Sequence, residues 1–205
     1  MMKKILLDAG HGINTKCKSS PDCALVEWRY NREIANAVAL HLQFRGYDAE
    51  LVTPEDKDIP LNERAERINR IAMRHGIADT FVISIHVNAA GMGDKWMNAR
   101  GWCAYTYPGH TESDDIADCL YFSVEEHLKG HTIRTDFSDE DPDFENPFYI
   151  LKHTLCSVVL VENLFMDNRD DCAFLLSSEG SCAIIDLLVD GIIDYVDQHE
   201  KEPFR

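Results

Sequence analysis

The sequence predicts an α/β fold, and three observations carry that reading. Nearly continuous apolar runs occur at 4–7, 80–86 and 156–162, amphipathic stretches at helical spacing lie between them, and glycines stand where two of those stretches stop. Apolar runs without polar alternation are what strands look like when helices cover both faces of their sheet. A chain of 205 residues buries one full core and leaves little for a second, so a single domain spanning 1–205 is expected. With 45% hydrophobic and 27% charged residues the composition is globular rather than disordered.

Taken in order, Lys4 to Leu7 reads as a buried strand that ends in the turn Asp8-Ala-Gly-His-Gly12, and 13–25 reads as loop. From Glu27 to Phe44, residues Tyr30, Ile34, Ala37, Val38 and Leu42 recur at helical spacing until Gly46 stops the run. Tyr47 to Val52 is a second strand. Leu61 to His75 is a helix by the spacing of Leu61, Ala65, Ile68, Ile71 and Ala72, with Gly76 as its stop. Thr80 to His86 is an apolar strand, Gly101 to Tyr107 another, Ser113 to Leu128 a helix, and Cys156 to Glu162 a further apolar strand. Two helices close the chain, Arg169 to Leu176 and Ser181 to Gln198. Between Arg134 and Asn146, six acidic residues crowd around Pro142, which predicts a solvated loop. Neither a repeat nor a linker divides the sequence.

Charge narrows the function classes. The 36 acidic against 20 basic residues give a formal charge of −16, which repels phosphate backbones and excludes nucleic acid as a partner. The start Met1-Met2-Lys3-Lys4 imitates a secretory signal, but Asp8 follows only three apolar residues where a signal core needs about 7 to 15. No run approaches the roughly 20 apolar residues of a membrane span. The expectation is therefore a chain made and folded in the cytosol, without membrane insertion. Seven cysteines without repeated short spacing read as reduced thiols, with Cys156, Cys172 and Cys182 in the core and Cys17 and Cys23 in a polar loop.

Three runs deliver ionisable side chains: His11 just after the first strand, His86 at the end of 80–86 and Glu162 at the end of 156–162. The carboxyl edge of an open α/β sheet is where ligands bind. A single histidine or glutamate there is usually a hydrogen-bonded or solvated residue, whereas three on neighbouring strand ends point to a site. Zinc suits such a set, because a catalytic zinc takes two histidines and a carboxylate and keeps one position open. Glu27, at the start of a helix, is the natural third ligand, although a glutamate there also complements the helix dipole.

The motifs Leu7-Asp-Ala-Gly-His-Gly12, Glu27 with Asn31, Ser84-Ile-His-Val-Asn-Ala89 and Leu160-Val-Glu-Asn-Leu-Phe-Met-Asp-Asn168 occur in the order seen in the amidase-3 family of zinc-dependent N-acetylmuramoyl-L-alanine amidases, and the sequence resembles that family. Arg64-Ala65 with Asn69, and Gly191-Ile-Ile-Asp-Tyr195, extend the likeness. The resemblance implies a twisted, mostly parallel or mixed sheet of about six strands flanked by helices on both faces. It implies one Zn2+ held by His11, Glu27 and His86, Glu162 as general base, and peptidoglycan or a muropeptide as substrate. Asn88 and Asn163 are the candidate substrate contacts. Two departures stand out: Pro54 replaces an arginine common after the second strand, and Asn163-Leu164 replaces a glycine-rich stretch after the glutamate.

Two other readings remain open on the sequence. The same zinc site is compatible with cleavage of another amide or peptide bond. A binding module with structural zinc would need a fourth protein ligand, for which Cys17 or Cys23 is the candidate. Two sites of action fit a chain with no signal peptide: the cell wall, reached by endolysin-like release, and the cytoplasm, where wall fragments are recycled.

Overall fold

The computed structural model of the chain describes residues 2–200. Six strands form one mixed sheet in the order β2-β1-β3-β6-β4-β5. They are β1 (Lys4–Ala9), β2 (Asp48–Leu51), β3 (Thr80–Asn88), β4 (Cys103–Thr106), β5 (Phe144–Glu145) and β6 (Ser157–Phe165). The first three and β6 run parallel, while β4 pairs antiparallel with β6 and carries β5 beside it. The helices are α1 (Glu27–Phe44), α2 (Leu61–His75), α3 (Glu112–His127), α4 (Tyr149–His153), α5 (Arg169–Leu175) and α6 (Ser178–Glu200).

Side-chain alternation along the strands divides the core in two. Ile5, Leu7, Phe81, Ile83, Ile85, Val159 and Val161 point to one face, where α1, α3, α5 and α6 cover them in the larger core. Leu6, Val82, Val158 and Leu160 point to the other face, under α2 and α4. Both faces are therefore dry, which is why these strands lack polar alternation. On the second face the apolar pattern gives way toward the carboxyl ends of the strands to Asp8, Ser84, His86 and Glu162, and the site is built there.

Local signals place the helices. Thr111 and Asp114 form a reciprocal capping box at the start of α3, and the Asn168 side chain accepts from Asp170 N and Asp171 N at the start of α5. Gly76, with φ at 132°, ends α2. Among the described residues no single helix is long and apolar enough to cross a membrane, and the bent pair of α5 and α6 spends its apolar face on the larger core.

Several expectations are corrected. β3 and β6 do not stop at His86 and Glu162 but continue to Asn88 and Phe165. The register shifts between His86 and Asn88, where a bulge puts Leu164 at a φ of 64°. That backbone region normally takes glycine, and Leu164 holds it because its side chain is wholly buried. The acidic stretch is not simply solvated: it contains β5, and Asp143 is 1% exposed. Cys182 faces solvent rather than the core, whereas Cys156 and Cys172 are buried, and all seven cysteines are unbonded.

The bulge is braced from the neighbouring strand edge. Trp102, fully buried, donates from Nε1 to Asn163 Oδ1 at 3.0 Å and packs edge-on against Tyr121 at 5.0 Å. Trp102→Phe strands that buried carbonyl and leaves a small void, so it is expected to lower unfolding stability by about 2–3 kcal/mol. Urea denaturation reads this as a lower midpoint at unchanged slope, and a loss below about 0.5 kcal/mol would mean that the brace carries little.

Candidate metal centre

The site begins with the turn after β1. His11 adopts a φ of 64°, between two glycines that close approach makes necessary. A Cβ on Gly10 would lie 2.3 Å from the His86 ring, and one on Gly12 would lie 1.9 Å from Asp58 N. The turn thus presses backbone against imidazole on one side and against the 56–60 segment on the other.

Arg64, from α2, fixes this turn from below and is 1% exposed. Its Nε donates to Ile59 O at 2.8 Å, one terminal nitrogen to Asp8 Oδ1 at 2.8 Å and Ala9 O at 2.7 Å, and the other to His11 O at 3.0 Å and Asp58 Oδ1 at 2.9 Å. Every N–H of the guanidinium is used. Asp8 spends its second oxygen on the Ser84 hydroxyl at 2.9 Å, so α2, β1 and β3 are joined by one buried polar network. The sequence carried no local sign of this role, because an arginine within an amphipathic helix ordinarily reads as surface.

Above the network, three donors converge. His11, Glu27 and His86 each offer a ligand atom, all within 4.8 Å of one another. Glu27 is the first residue of α1 yet does not cap it: Oε1 lies 3.3 Å from His11 Nε2 and 3.3 Å from His86 Nδ1, and accepts from Val87 N at 3.2 Å. The two imidazole rings stand edge to face at 5.2 Å. Glu27 is 1% exposed, and its Oε2 has no hydrogen-bond partner, with the Lys18 ammonium at 3.7 Å. Burial alone would push this carboxyl up, but hydrogen bonds and charge from His11 and His86 outweigh it and hold it below the usual carboxylate range. A buried carboxylate with an orphaned oxygen and two imidazole nitrogens facing it fits a divalent cation, and two histidines with one glutamate match the donor set of catalytic zinc. Among the described residues no cysteine joins this group, so neither Cys17 nor Cys23 supplies a fourth ligand.

Glu162 sits beside the trio. β3 and β6 pair His86 with Glu162 in register, which points both side chains to the same face. The side chain opens partly to the cleft, but Oε2 is buried without a partner. Burial, and secondarily the charge of Glu27, push its carboxyl well above the usual range, against a weaker pull from Lys18 and Arg134. A cleft of about 530 Å³ opens over these groups, lined also by Ile59, Pro60, Leu61, Phe148, Tyr149 and Ile150. Sequence reasoning missed Lys18 and the aromatic wall, since α4 is too short to leave a periodic pattern.

The candidate substrate contacts fare differently. Asn88 is partly exposed and uses its Oδ1 on Ala89 N at 2.8 Å. Asn163 is wholly buried, accepting from Trp102 and donating to His86 O at 3.1 Å. It braces the strand that carries His86, and its side chain is wholly buried rather than open to the cleft.

The family described as N-acetylmuramoyl-L-alanine amidase matches residues 5–194. The chain belongs to this family. A curated relative named as an endolysin of Bacillus phage SPP1 is 29% identical over 180 residues, covering 85% of this chain and 59% of the relative. Another, named N-acetylmuramoyl-L-alanine amidase CwlM of Bacillus licheniformis, is 29% identical over 178 residues, covering 86% of this chain and 62% of the relative. The chain thus spans about three-fifths of the length of these curated relatives. Among solved structures, an N-acetylmuramoyl-L-alanine amidase of Clostridium difficile 630 superposes with a TM-score of 0.80 at 22% identity, covering 96% of this chain and 97% of that one. The catalytic domain of the amidase CwlV of Paenibacillus polymyxa superposes at 0.79 and 21% identity, covering 96% and 99%. These likenesses establish the fold.

Removal of Arg64 would leave Asp8 buried without a counter-charge. Arg64→Met is therefore expected to cost about 3–5 kcal/mol in chemical unfolding, and Arg64→Lys to recover little of it, since one ammonium cannot replace the guanidinium's forked donors. A loss under about 1 kcal/mol for Arg64→Met would contradict the clamp.

Proposed function

We propose that this chain is a single catalytic domain that hydrolyses the amide bond between N-acetylmuramic acid and L-alanine in peptidoglycan or its fragments. One zinc ion is held by His11, Glu27 and His86, and Glu162 is the general base. The observation that carries this reading is the convergence of the three donors within 4.8 Å beside a carboxyl that is in register with His86 but outside the donor group. Separate ligand and base roles are what metal-assisted hydrolysis requires.

Zinc, when bound, supplies a Lewis acid that polarises the amide carbonyl and makes water a better nucleophile near neutral pH. The remaining chemistry belongs to the side chains. Glu162 takes the proton from the attacking water at its carboxylate and returns it to the departing amine of L-alanine, so one group serves as base and then as acid. The upward push on its carboxyl suits both roles, because a shuttle works best when its pKa lies near the working pH. Gly10 and Gly12 let the turn that carries His11 pack against His86 and Asp58, and Arg64 holds that turn through His11 O. Apolar and aromatic walls suit a lactyl-peptide stem, with Lys18 among the residues that line the cleft.

The name of the phage relative supports action on the cell wall, while the formal charge of −16 disfavours approach to anionic wall polymers and favours soluble fragments. Rates on intact sacculi and on soluble muropeptides, measured side by side, assign the site of action.

Glu162→Gln is expected to retain zinc and lose about 100-fold to 10,000-fold in rate, whereas His86→Ala loses zinc and activity together. Metal content by mass spectrometry and new L-alanine amino termini released from sacculi read the two effects. Near wild-type release by Glu162→Gln, or release of D-amino acids instead, would overturn the assignment.

A further inference from the structure

The acidic segment before α4 folds back on the loop between β4 and α3, at the end of the sheet away from the metal centre. β4 runs antiparallel to β6, so Cys103 lies opposite Glu162 while Thr106 is three residues further along, about 10 Å away. At that far end Thr106 Oγ1 donates to Asp143 Oδ2 at 2.6 Å and Gly109 N donates to Glu145 Oε1 at 2.6 Å.

These contacts assemble a second group of donors. His110, Asp114 and Asp141 offer ligand atoms that all lie within 4.8 Å of one another, and His110 Nδ1 stands 3.7 Å from Asp114 Oδ2. An independent observation comes from Asp143, which reaches Asp141 side chain to side chain while its Oδ1 is buried and has no hydrogen-bond partner. Asp141 Oδ1 is likewise buried and unpartnered. Among the described residues no lysine or arginine forms an ion pair with Asp114, Asp141 or Asp143. Carboxylates drawn together with buried, unsatisfied oxygens are relieved either by a bound cation or by a shared proton.

We propose that His110, Asp114 and Asp141, backed by Asp143, form a second divalent-cation site, distinct from the catalytic centre and structural in role. Two carboxylates and one imidazole, with the Asp143 carboxyl behind them, give a mainly oxygen donor set, which suits Mn2+. The cation ties the acidic segment to the N-terminus of α3. Through β5 that segment continues into Phe148 and Tyr149 at the start of α4, on the cleft wall. A proton shared between Asp141 and Asp143 is the competing way to relieve the same repulsion.

The test is to titrate zinc-loaded protein with MnCl2 and count bound Mn2+ by electron paramagnetic resonance, with Asp141→Asn, Asp143→Asn and His86→Ala alongside. One Mn2+ per chain is expected, bound at least about 10-fold more weakly by Asp141→Asn and Asp143→Asn. In His86→Ala the affinity at this site is expected to be unchanged even though the catalytic centre is lost, so failure of one site is separable from failure of the other. Absence of saturable binding up to about 1 mM would overturn the site and leave the shared proton. Wild-type affinity in Asp141→Asn would overturn it equally.

Discussion

The carboxylate of Glu27 is the constraint around which this molecule is arranged. A glutamate removed from water costs several kcal/mol unless its charge is met, and here it is met from two other parts of the fold at once. The turn after β1 brings His11, β3 brings His86 and the Val87 amide, and α1 brings the carboxylate itself on its first residue. One oxygen is saturated by these contacts and the other is without a hydrogen bond. An arrangement of this kind fits a cation, and the sheet order that sets β1 beside β3 makes it possible.

A second buried charge underwrites the first. Arg64 holds the turn whose glycines press against His86 and Asp58, and it is neutralised by Asp8 and Asp58 rather than by Glu27. The site is thus two layers, a guanidinium with its two aspartates below and the Glu27 and Glu162 carboxyls above. The lower layer is satisfied within the protein, while in the upper one Glu27 and Glu162 each keep a buried oxygen without a hydrogen-bond partner. That division separates what keeps the fold from what binds and reacts.

Much of this was legible in the sequence, for identifiable reasons. Dry strands announced themselves through apolar runs, and helices through spacing and the stops at Gly46 and Gly76. His11, His86 and Glu162 stood out because each closes such a run, although β3 and β6 in fact continue beyond them. Glu27 rested on family resemblance, since only tertiary structure decides whether a first-turn carboxylate caps its helix or turns inward. Leu164 in a glycine conformation, the burial of Arg64 and the burial of Asn163 were not legible, because each depends on partners 50 or more residues away. Asp143 was lost in a run of acids whose composition speaks of solvent, and the contacts of β5 override it.

The account stands or falls on whether the Glu27 carboxylate is a metal ligand rather than a brace between two imidazoles. Competitive zinc titration of wild-type protein and Glu27→Gln decides this, because the amide keeps the shape and loses the charge. One zinc per chain is expected in the wild type, with affinity weakened by at least about 100-fold in Glu27→Gln. Equal zinc affinity in the two proteins would contradict the metal centre described above.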